Sequence, residues 1–256
     1  MSYRAFITGI GGFAGSHLAE ALLRADNHVE GTVRPGGSSS PTWRSGALVP
    51  LHPCDVRSSG GLVDAVRKAK PDVVYHLAAT ASVSEGEADP HGTIEVNLTG
   101  TLHLLEAIRR EIPGALLVHI SSCEVYGKVL PEENPIREGR PEAPVHAYGL
   151  SKLLQEELAR SFAEQHGMSI AVLRPWDIVD ADRMVTTDGH PVTELTWRSI
   201  DRRDVARALA CALHVPDLAY ECFHITATPG GEQATDTLRS ERRLGWRAAR
   251  RFAADR

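Results

Sequence analysis

The residues best suited to chemistry are a serine, a tyrosine and a lysine near the middle of the chain. Tyr148 and Lys152 are four residues apart in YGLSK, and on a helix this spacing puts both side chains on one face. An unperturbed tyrosine titrates at about pH 10, and a neighbouring ammonium favours its phenolate form. Ser122 ends a predicted strand, where its hydroxyl can hydrogen-bond the same substrate oxygen. The three residues predict proton transfer in a carbonyl–alcohol interconversion.

These side chains must be positioned by alternating strands and helices. Short apolar runs predict strands at residues 5–7, 29–33, 47–51, 73–75, 116–120 and 170–173. Apolar residues at helical spacing predict helices at residues 13–25, 61–69, 93–110 and 148–166. Such alternation is typical of an α/β fold with a doubly wound parallel sheet, the Rossmann fold, whose ligand lies beyond the carboxyl ends of the strands.

After Pro175 the pattern becomes irregular. Residues 176–201 predict a loop with one strand at 194–197, followed by a helix at 201–214, a strand at 220–226 and a short polar helix. We therefore expect a dinucleotide-binding domain at residues 1–174. Residues 175–256 are expected to form a small substrate-binding lobe interleaved with that domain.

A glycine-rich turn, TGIGGFAG, joins the first strand to the first helix. Gly9, Gly12 and Gly15 permit a tight turn, close approach of the backbone to a pyrophosphate and close packing of helix on strand. Phe13 and Ala14 complete the turn, where free N–H groups at the helix start can face phosphates. The strand–turn–helix context predicts dinucleotide binding.

The end of the second strand indicates which nicotinamide cofactor is used. This strand ends at Arg34 and is followed by a Gly/Ser loop, with no acidic residue at its end. An acidic residue would bind a free ribose 2′-hydroxyl, whereas an arginine can pair with a 2′-phosphate. Strand alternation turns Glu30 away from the cofactor. We therefore expect NADP, with NAD as the alternative.

Composition excludes several other classes of protein. The 256 residues carry a formal net charge of −5, which gives no general attraction to nucleic acid or to an anionic membrane. The four cysteines are far apart, and the histidines lack metal-ligand spacing. No apolar run has the length of about 20 residues that a membrane span needs. We expect a cytoplasmic protein with no metal, nucleic-acid or membrane partner.

Several motifs occur in the order found in one known family. They are TGIGGFAG, HLAA, VNLTGT, SSCEVYGKV, YGLSK, LRP and RRDV, spread over almost the whole chain. In them the sequence resembles the extended short-chain dehydrogenase/reductases, which include nucleotide-sugar epimerases, dehydratases and reductases. The runs VEGTVRPGGSSS and SSCEVYGKVLPEENP are most similar to GDP-mannose 4,6-dehydratases and 4-keto-6-deoxymannose reductases.

The resemblance implies further cofactor contacts beside the glycine turn, Tyr148 and Lys152. It assigns Asp55 and Val56 to the adenine, Leu77, Ala78, Ala79 and Ala81 to the cleft wall, Asn97 to support of the site and Pro175 to the nicotinamide. The family commonly dimerises through two helices of each subunit. Helices 93–110 and 148–166 are accordingly expected to form a four-helix contact in a homodimer.

The resemblance leaves the substrate open. In similar dehydratases a glutamate at the position of Glu124 removes a proton beside a transient keto group, but this residue can also bind a hydroxyl or cap the following turn. Only residues 176–203 separate Pro175 from the RRDV helix, where relatives have several dozen residues. A nucleotide sugar is the first expectation. The alternatives are a small free sugar or sugar acid, as in uronate dehydrogenases, and a non-catalytic NADP-binding regulator.

Overall fold

The computed structural model describes residues 2–36, 46, 48–129, 135–137, 139–227, 235–250 and 252. The strands are β1 (Arg4–Thr8), β2 (His28–Val33), β3 (Leu51–Pro53), β4 (Val73–His76), β5 (Leu116–Ile120), β6 (Ile170–Pro175), β7 (Asp177–Asp180), β8 (Val185–Thr186), β9 (Ser199–Asp201) and β10 (Tyr220–Ile225). The helices are α1 (Gly15–Arg24), α2 (Ser59–Ala69), α3 (Val83–Ala88), α4 (Pro90–Ile94), α5 (Gly100–Glu111), α6 (Ala147–His166) and α7 (Arg202–Cys211).

The main sheet has seven strands in the order β10-β6-β5-β4-β1-β2-β3, and every neighbouring pair is parallel. Strand order reverses between β1 and β4, and in this fold ligands bind in the crevice at such a switch point. The expected doubly wound α/β fold is confirmed. A separate sheet of β8, β7 and β9 follows β6, so the segment after Pro175 supplies both this small sheet and the edge strand β10.

Side-chain alternation along the strands builds a core on each face of the sheet. Ile7, Val118 and Leu173 pack in the core that α1 and α7 cover. The neighbouring Phe6 and Leu117 belong to the core on the α2, α5 and α6 side. Both faces are therefore buried, and polar side chains concentrate at the carboxyl edge of the sheet.

The end signals of α6 place Tyr148 and Lys152 at that edge. His146 caps the helix by accepting the Gly149 N–H at Nδ1, at 2.9 Å. Gly167 ends the helix in the left-handed region, with φ of 67°, as is usual for a C-terminal glycine. The helix predicted from residue 148 thus begins one residue earlier, and both reactive side chains lie in its first two turns.

Two predicted strands are wrong in position. The third strand begins at Leu51 rather than at residue 47, and residues 48–50 carry no strand. The strand predicted at 194–197 is a bend and a turn, whereas β9 forms two residues later and β7 and β8 were not predicted. These strands are only two to four residues long, so partner strands rather than a local pattern define them. Most of the Gly/Ser loop after Arg34 lies outside the described residues.

Within the described residues, none of the helices combines the length and apolarity needed to cross a membrane.

Candidate active site

The glycine-rich turn between β1 and α1 has the geometry that a pyrophosphate requires. Gly9 adopts a φ of +70°, and a Cβ there would be 3.0 Å from the Ala78 backbone. A Cβ on Gly15 would be 2.4 Å from the Gly9 carbonyl oxygen, so only glycine fits. α1 follows its N-cap residue Ala14, has no acidic residue in its first turn and has no side-chain cap hydrogen bond. The Ser16 N–H donates to the Gly12 carbonyl at 3.2 Å, and a helix start without a side-chain cap is suited to an anion.

A chain of hydrogen bonds holds the turn against the strand beside it. Thr8 Oγ1 accepts the N–H groups of Leu77 and Ala78, each at 3.2 Å, and is 2.7 Å from His76 Nδ1. His76 Nε2 is 2.9 Å from Thr101 Oγ1. Thr101 itself donates to the Asn97 carbonyl, so it accepts from His76. Burial lowers the pKa of His76 to about 3, and the neutral ring therefore joins β1, β4 and α5.

Asn97 connects the cofactor cleft to the reactive helix. It is fully buried in a single wide turn, Glu95–Thr99, between α4 and α5. Its Oδ1 accepts the Thr80 N–H at 2.8 Å, and its Nδ2 donates to Ser151 Oγ at 2.8 Å. Ser151 in turn donates to the Tyr148 carbonyl at 2.7 Å. Asn97 thus fixes the loop after β4 to the first turn of α6.

The structure brings Ser122, Tyr148 and Lys152 together. Tyr148 lies beside Ser122, and Lys152 Nζ lies 5.8 Å from the centroid of the Tyr148 ring. Lys152 donates to the Ile120 carbonyl at 3.2 Å. Burial raises the pKa of Tyr148 above its usual value, an effect that the Ser122 hydroxyl opposes. Burial also lowers the pKa of Lys152, to about 8.

The remaining predicted cofactor residues lie along the same edge of the sheet. They are Asp55 and Val56 after β3, Ala79 and Ala81 in the loop after β4, and Pro175 at the end of β6. Val56 packs so closely on α5 that a Cβ on Gly100 would be 2.7 Å from its side chain. Hydrogen bonds from Arg57 lower the pKa of Asp55, and the charge of the exposed Arg34 adds to this effect. Glu30 is 2.9 Å from His52 Nε2, so it points away from the cleft, as expected.

Glu124 has partners on both carboxylate oxygens. His146 Nε2 donates to Glu124 Oε2 at 2.9 Å; because His146 Nδ1 accepts a backbone N–H, Nε2 carries the ring proton. Arg198 donates to Glu124 Oε1. Sequence reasoning did not identify His146 or Arg198. The histidine beside Tyr148 was a weak signal, and Arg198 falls where the sequence predicted the end of a strand and a loop.

Arg198 extends the charged cluster over the segment that follows Pro175. Its Nε is 3.2 Å from Asp177 Oδ2, and its guanidinium lies 4.6 Å from the Trp176 ring centroid. Burial raises the pKa of Asp177, while Arg198 acts in the opposite direction. Asp177 and Glu124 both influence Tyr148 electrostatically. These residues therefore form a charged cluster beside Tyr148.

A glycine in α3 sets the position of Tyr148. A Cβ on Gly86 would be 2.8 Å from the Tyr148 Cβ and 3.0 Å from its backbone nitrogen. We expect Gly86→Ala to push α3 and Tyr148 apart and to reduce kcat/KM on the order of 10²-fold, since a shift of about 1 Å can have that effect. Steady-state kinetics test this. The matched control is Gly60→Ala in α2, where a Cβ meets nothing within 4 Å; equal activity of the two variants would contradict the prediction.

Two buried histidines, His76 and His119, pack side by side below the site. Their ring centroids are 5.5 Å apart. Among the described residues, neither His119 nitrogen has a hydrogen-bond partner. Burial, reinforced by the charge of Lys152, lowers the pKa of His119 well below its ordinary value. The unfolded chain therefore binds more protons than the folded protein as pH falls below about 6.5.

We therefore expect the free energy of unfolding to decrease as the pH falls. His119→Leu should remove the part of this decrease that His119 causes and leave the part that His76 causes. Between pH 7.5 and 5.5 the wild type should lose about 1.4 kcal/mol more unfolding free energy than the variant. Urea denaturation at the two pH values measures the difference. Equal losses in the two proteins would show that His119 does not titrate in this way.

The described part of the chain contains no cluster of three or more His, Cys, Asp or Glu side chains able to hold a metal ion. The four cysteines Cys54, Cys123, Cys211 and Cys222 are free thiols.

The chain is similar in sequence to known sugar-modifying enzymes. The chain is 34% identical over 178 residues to the GDP-6-deoxy-D-mannose reductase of Pseudomonas aeruginosa, a match that covers 69% of this chain and 53% of the reductase. It is 33% identical over 181 residues to the UDP-glucose 4-epimerase of Azospirillum brasilense, covering 71% and 51%. The chain thus spans about half the length of the curated relatives it matches.

Solved structures share the fold. A UDP-glucose 4-epimerase from Brucella ovis in complex with NAD has a TM-score of 0.80 at 21% identity, over 96% of this chain and 93% of that one. The UDP-glucose 4-epimerase of Bifidobacterium longum in complex with NAD+ and UDP has a TM-score of 0.80 at 23% identity, with the same coverage. The sequence profile of GDP-mannose 4,6-dehydratase matches residues 6–195. This match confirms the family expected from the motifs: the chain belongs to the GDP-mannose 4,6-dehydratase family.

Proposed function

We propose that this chain is a nicotinamide-dependent oxidoreductase that transfers hydride to or from a nucleotide sugar. The observation that carries the proposal is the grouping of Ser122, Tyr148 and Lys152. Lys152 Nζ lies 5.8 Å from the centroid of the tyrosine ring, and the Ser122 hydroxyl acts on the same tyrosine. This trio lies at the same sheet edge as a turn that only glycine fits. A bound nicotinamide supplies or accepts the hydride.

The protein's own residues handle the proton. The raised pKa of Tyr148 keeps its phenol protonated at neutral pH, so the phenol can donate to a substrate carbonyl oxygen as that oxygen gains charge. Ser122 binds the same oxygen and orients it. The pKa of Lys152 is about 8, so its ammonium favours the phenolate that remains, and this support declines as pH rises through that value. In the reverse direction Tyr148 accepts the alcohol proton.

NADP is the proposed cofactor, with NAD as the alternative. Exposed Arg34 follows β2 beside Asp55, whereas Glu30, the acidic residue within β2, is bound to His52. An arginine suits a 2′-phosphate. Titration of the protein with NADPH and NADH, followed by nicotinamide fluorescence, tests this. At least tenfold tighter binding of NADH would reject the NADP assignment.

A nucleotide sugar is the proposed substrate because relatives of the chain bear the names of GDP-mannose dehydratases, a GDP-6-deoxy-D-mannose reductase and a UDP-glucose epimerase. A free sugar or sugar acid is the alternative, supported by the short segment between Pro175 and α7.

We propose that residues 175–256 form the substrate lobe and residues 1–174 the cofactor domain. The free thiols support a reducing cytoplasmic location.

Elimination is a second candidate reaction, because Glu124 lies two residues after Ser122 and beside Tyr148. Arg198 and His146 occupy both Glu124 oxygens, so Glu124 can take a proton from substrate only if one contact opens. Mass spectrometry of GDP-mannose incubated with the protein and the oxidised cofactor tests this reaction. Loss of water from the sugar would support Glu124 as a base.

A substrate screen tests the function as a whole. GDP- and UDP-sugars are compared with free aldoses and uronic acids by nicotinamide absorbance, and we expect turnover with a nucleotide sugar. Turnover of free uronic acids alone would reject the nucleotide-sugar assignment. Dinucleotide binding without turnover of any sugar would favour the non-catalytic regulator.

We also propose that the chain forms a homodimer through a four-helix contact made by α5 and α6 of each subunit. Leu102 on α5 and Leu150 on α6 are exposed, at 39% and 44% of their surface. Such apolar residues on the outer faces of the two helices support an interface. Sedimentation of the wild type and of a Leu102→Glu, Leu150→Glu double variant tests the dimer.

A further inference from the structure

An arginine from α7 lies over the glycine-rich turn. Arg202 is the first residue of α7, and its guanidinium is 4.7 Å from the centroid of the Phe13 ring. Phe13 lies inside the turn, between Gly12 and Ala14. A residue 189 positions away along the chain thus puts a positive charge beside the backbone that suits a pyrophosphate. Sequence reasoning assigned no role to this arginine.

One carboxylate holds Arg202 through Nη2, and the Nε donor has no hydrogen-bond partner among the described residues. Arg202 Nη2 is 2.5 Å from Asp180 Oδ2. Asp180 is only 2% exposed, and its Oδ1 accepts the N–H groups of Asp182 and Arg183 at 3.1 and 3.2 Å. The backbone therefore fixes the carboxylate. Within the described residues, the buried Nε of Arg202 has no hydrogen-bond partner.

The neighbouring Arg203 differs from Arg202 in its hydrogen-bond partners, which are those of a purely structural arginine. Arg203 donates from three nitrogens, to Asp201 through Nε and Nη2 and to Asp182 through Nη1. Its guanidinium is thus saturated by carboxylates. Arg202 has one carboxylate, an aromatic ring and an unpaired buried N–H, and a buried donor without a partner is unfavourable. This difference indicates a ligand that completes the Arg202 contacts.

The chemistry of the turn indicates what that ligand is. α1 has no acidic residue in its first turn, so nothing there competes with an anion for its N–H groups. A guanidinium presents planar N–H donors that match phosphate oxygens. We infer that Arg202 binds the pyrophosphate of the dinucleotide from the side opposite the α1 N-terminus. This inference rests on the proposed dinucleotide binding.

Calorimetric titration with ADP-ribose, which contains the pyrophosphate, and with AMP, which lacks it, tests the inference without requiring turnover. We expect Arg202→Met to raise the Kd for ADP-ribose by about 10- to 100-fold. The Kd for AMP should stay unchanged. Arg202→Lys, which keeps the charge without the planar donors, should give an intermediate Kd. Arg110→Met on α5, which removes a charge paired with Glu106, is the control and should bind as the wild type does.

Asp180→Asn distinguishes pyrophosphate binding by Arg202 from a purely structural role of the Arg202–Asp180 ion pair in holding α7. The asparagine oxygen can still accept the two backbone N–H groups, while Arg202 is released from its counter-charge, so ADP-ribose should bind at least as tightly as before. Unchanged ADP-ribose binding by Arg202→Met, or equal losses in Arg202→Met and Asp180→Asn, would overturn the inference alone. A wild-type protein that binds neither NADPH nor NADH would overturn the proposed function, and the inference with it.

Discussion

Replacement of Tyr148 by phenylalanine is expected to lower kcat/KM by about 10²- to 10⁴-fold, the range of a general acid–base contribution. The change removes the hydroxyl that lies beside Ser122 and leaves the ring on α6. Among the described residues no side chain is hydrogen-bonded to Ser122 Oγ, so none replaces the lost donor. Steady-state kinetics with the nucleotide sugar found in the screen measure the loss, and the Kd for NADPH should stay within about twofold.

Tyr75→Phe is the matched control for this prediction. Tyr75 is also a buried tyrosine, in β4, and its hydroxyl has no hydrogen-bond partner among the described residues. Its removal should leave kcat/KM unchanged. If Tyr148→Phe turned over substrate as fast as Tyr75→Phe, Tyr148 would be a structural residue, and the assignment of the reaction to the Ser122–Tyr148–Lys152 trio would be wrong.

Replacement of Gly15 by alanine is expected to raise the Kd for NADPH by about 10- to 100-fold. The new Cβ would lie 2.4 Å from the Gly9 carbonyl oxygen and 3.1 Å from that of Ile10. Both contacts are backbone, so no side chain can move aside, and the turn must open where it holds a pyrophosphate. Such overpacking also costs about 1–3 kcal/mol of unfolding free energy. Fluorescence titration measures the first effect and urea denaturation the second.

Gly60→Ala provides the comparison for Gly15→Ala. Gly60 also lies in the first turn of a helix, but a Cβ there meets nothing within 4 Å. Alanine should therefore leave the Kd for NADPH unchanged and stabilise the helix by up to about 1 kcal/mol. A Gly15→Ala protein that bound NADPH as tightly as Gly60→Ala would show that the third glycine is not needed for cofactor binding.

The separate experiments divide the site into independent parts. Gly15→Ala and Arg202→Met should affect binding of the dinucleotide, whereas Tyr148→Phe and Gly86→Ala should affect turnover with little change in that binding. Distinct outcomes are expected because the two segments are separate in the chain. The glycine-rich turn follows β1, whereas the first turn of α6 comes after β5. The Asn97 hydrogen bonds to Thr80 and Ser151 connect the loop after β4 with the first turns of α6.

Local patterns in the sequence were sufficient to predict those parts of the candidate site whose residues lie within a few positions of one another. The spacing of Tyr148 and Lys152 on one helix, and the glycines of a single turn, follow from backbone geometry within a few residues. The long strands of the main sheet were also predictable, because burial on both faces requires continuous apolar runs. The short strands β3, β7, β8 and β9 were misplaced or missed, since their neighbours decide where they form.

Tertiary structure decided what surrounds those residues. Arg198 contacts Glu124, which is 74 residues away in the chain. Arg202 contacts Phe13, which is 189 residues away. His76 and His119 became neighbours because β4 and β5 pair in that register. No periodicity encodes such contacts, since they depend on which strand ends meet at one edge of the sheet. The sequence alone therefore determined the helical spacing of Tyr148 and Lys152, whereas the charged residues around them, such as Arg198 and Glu124, come together only when distant segments pack.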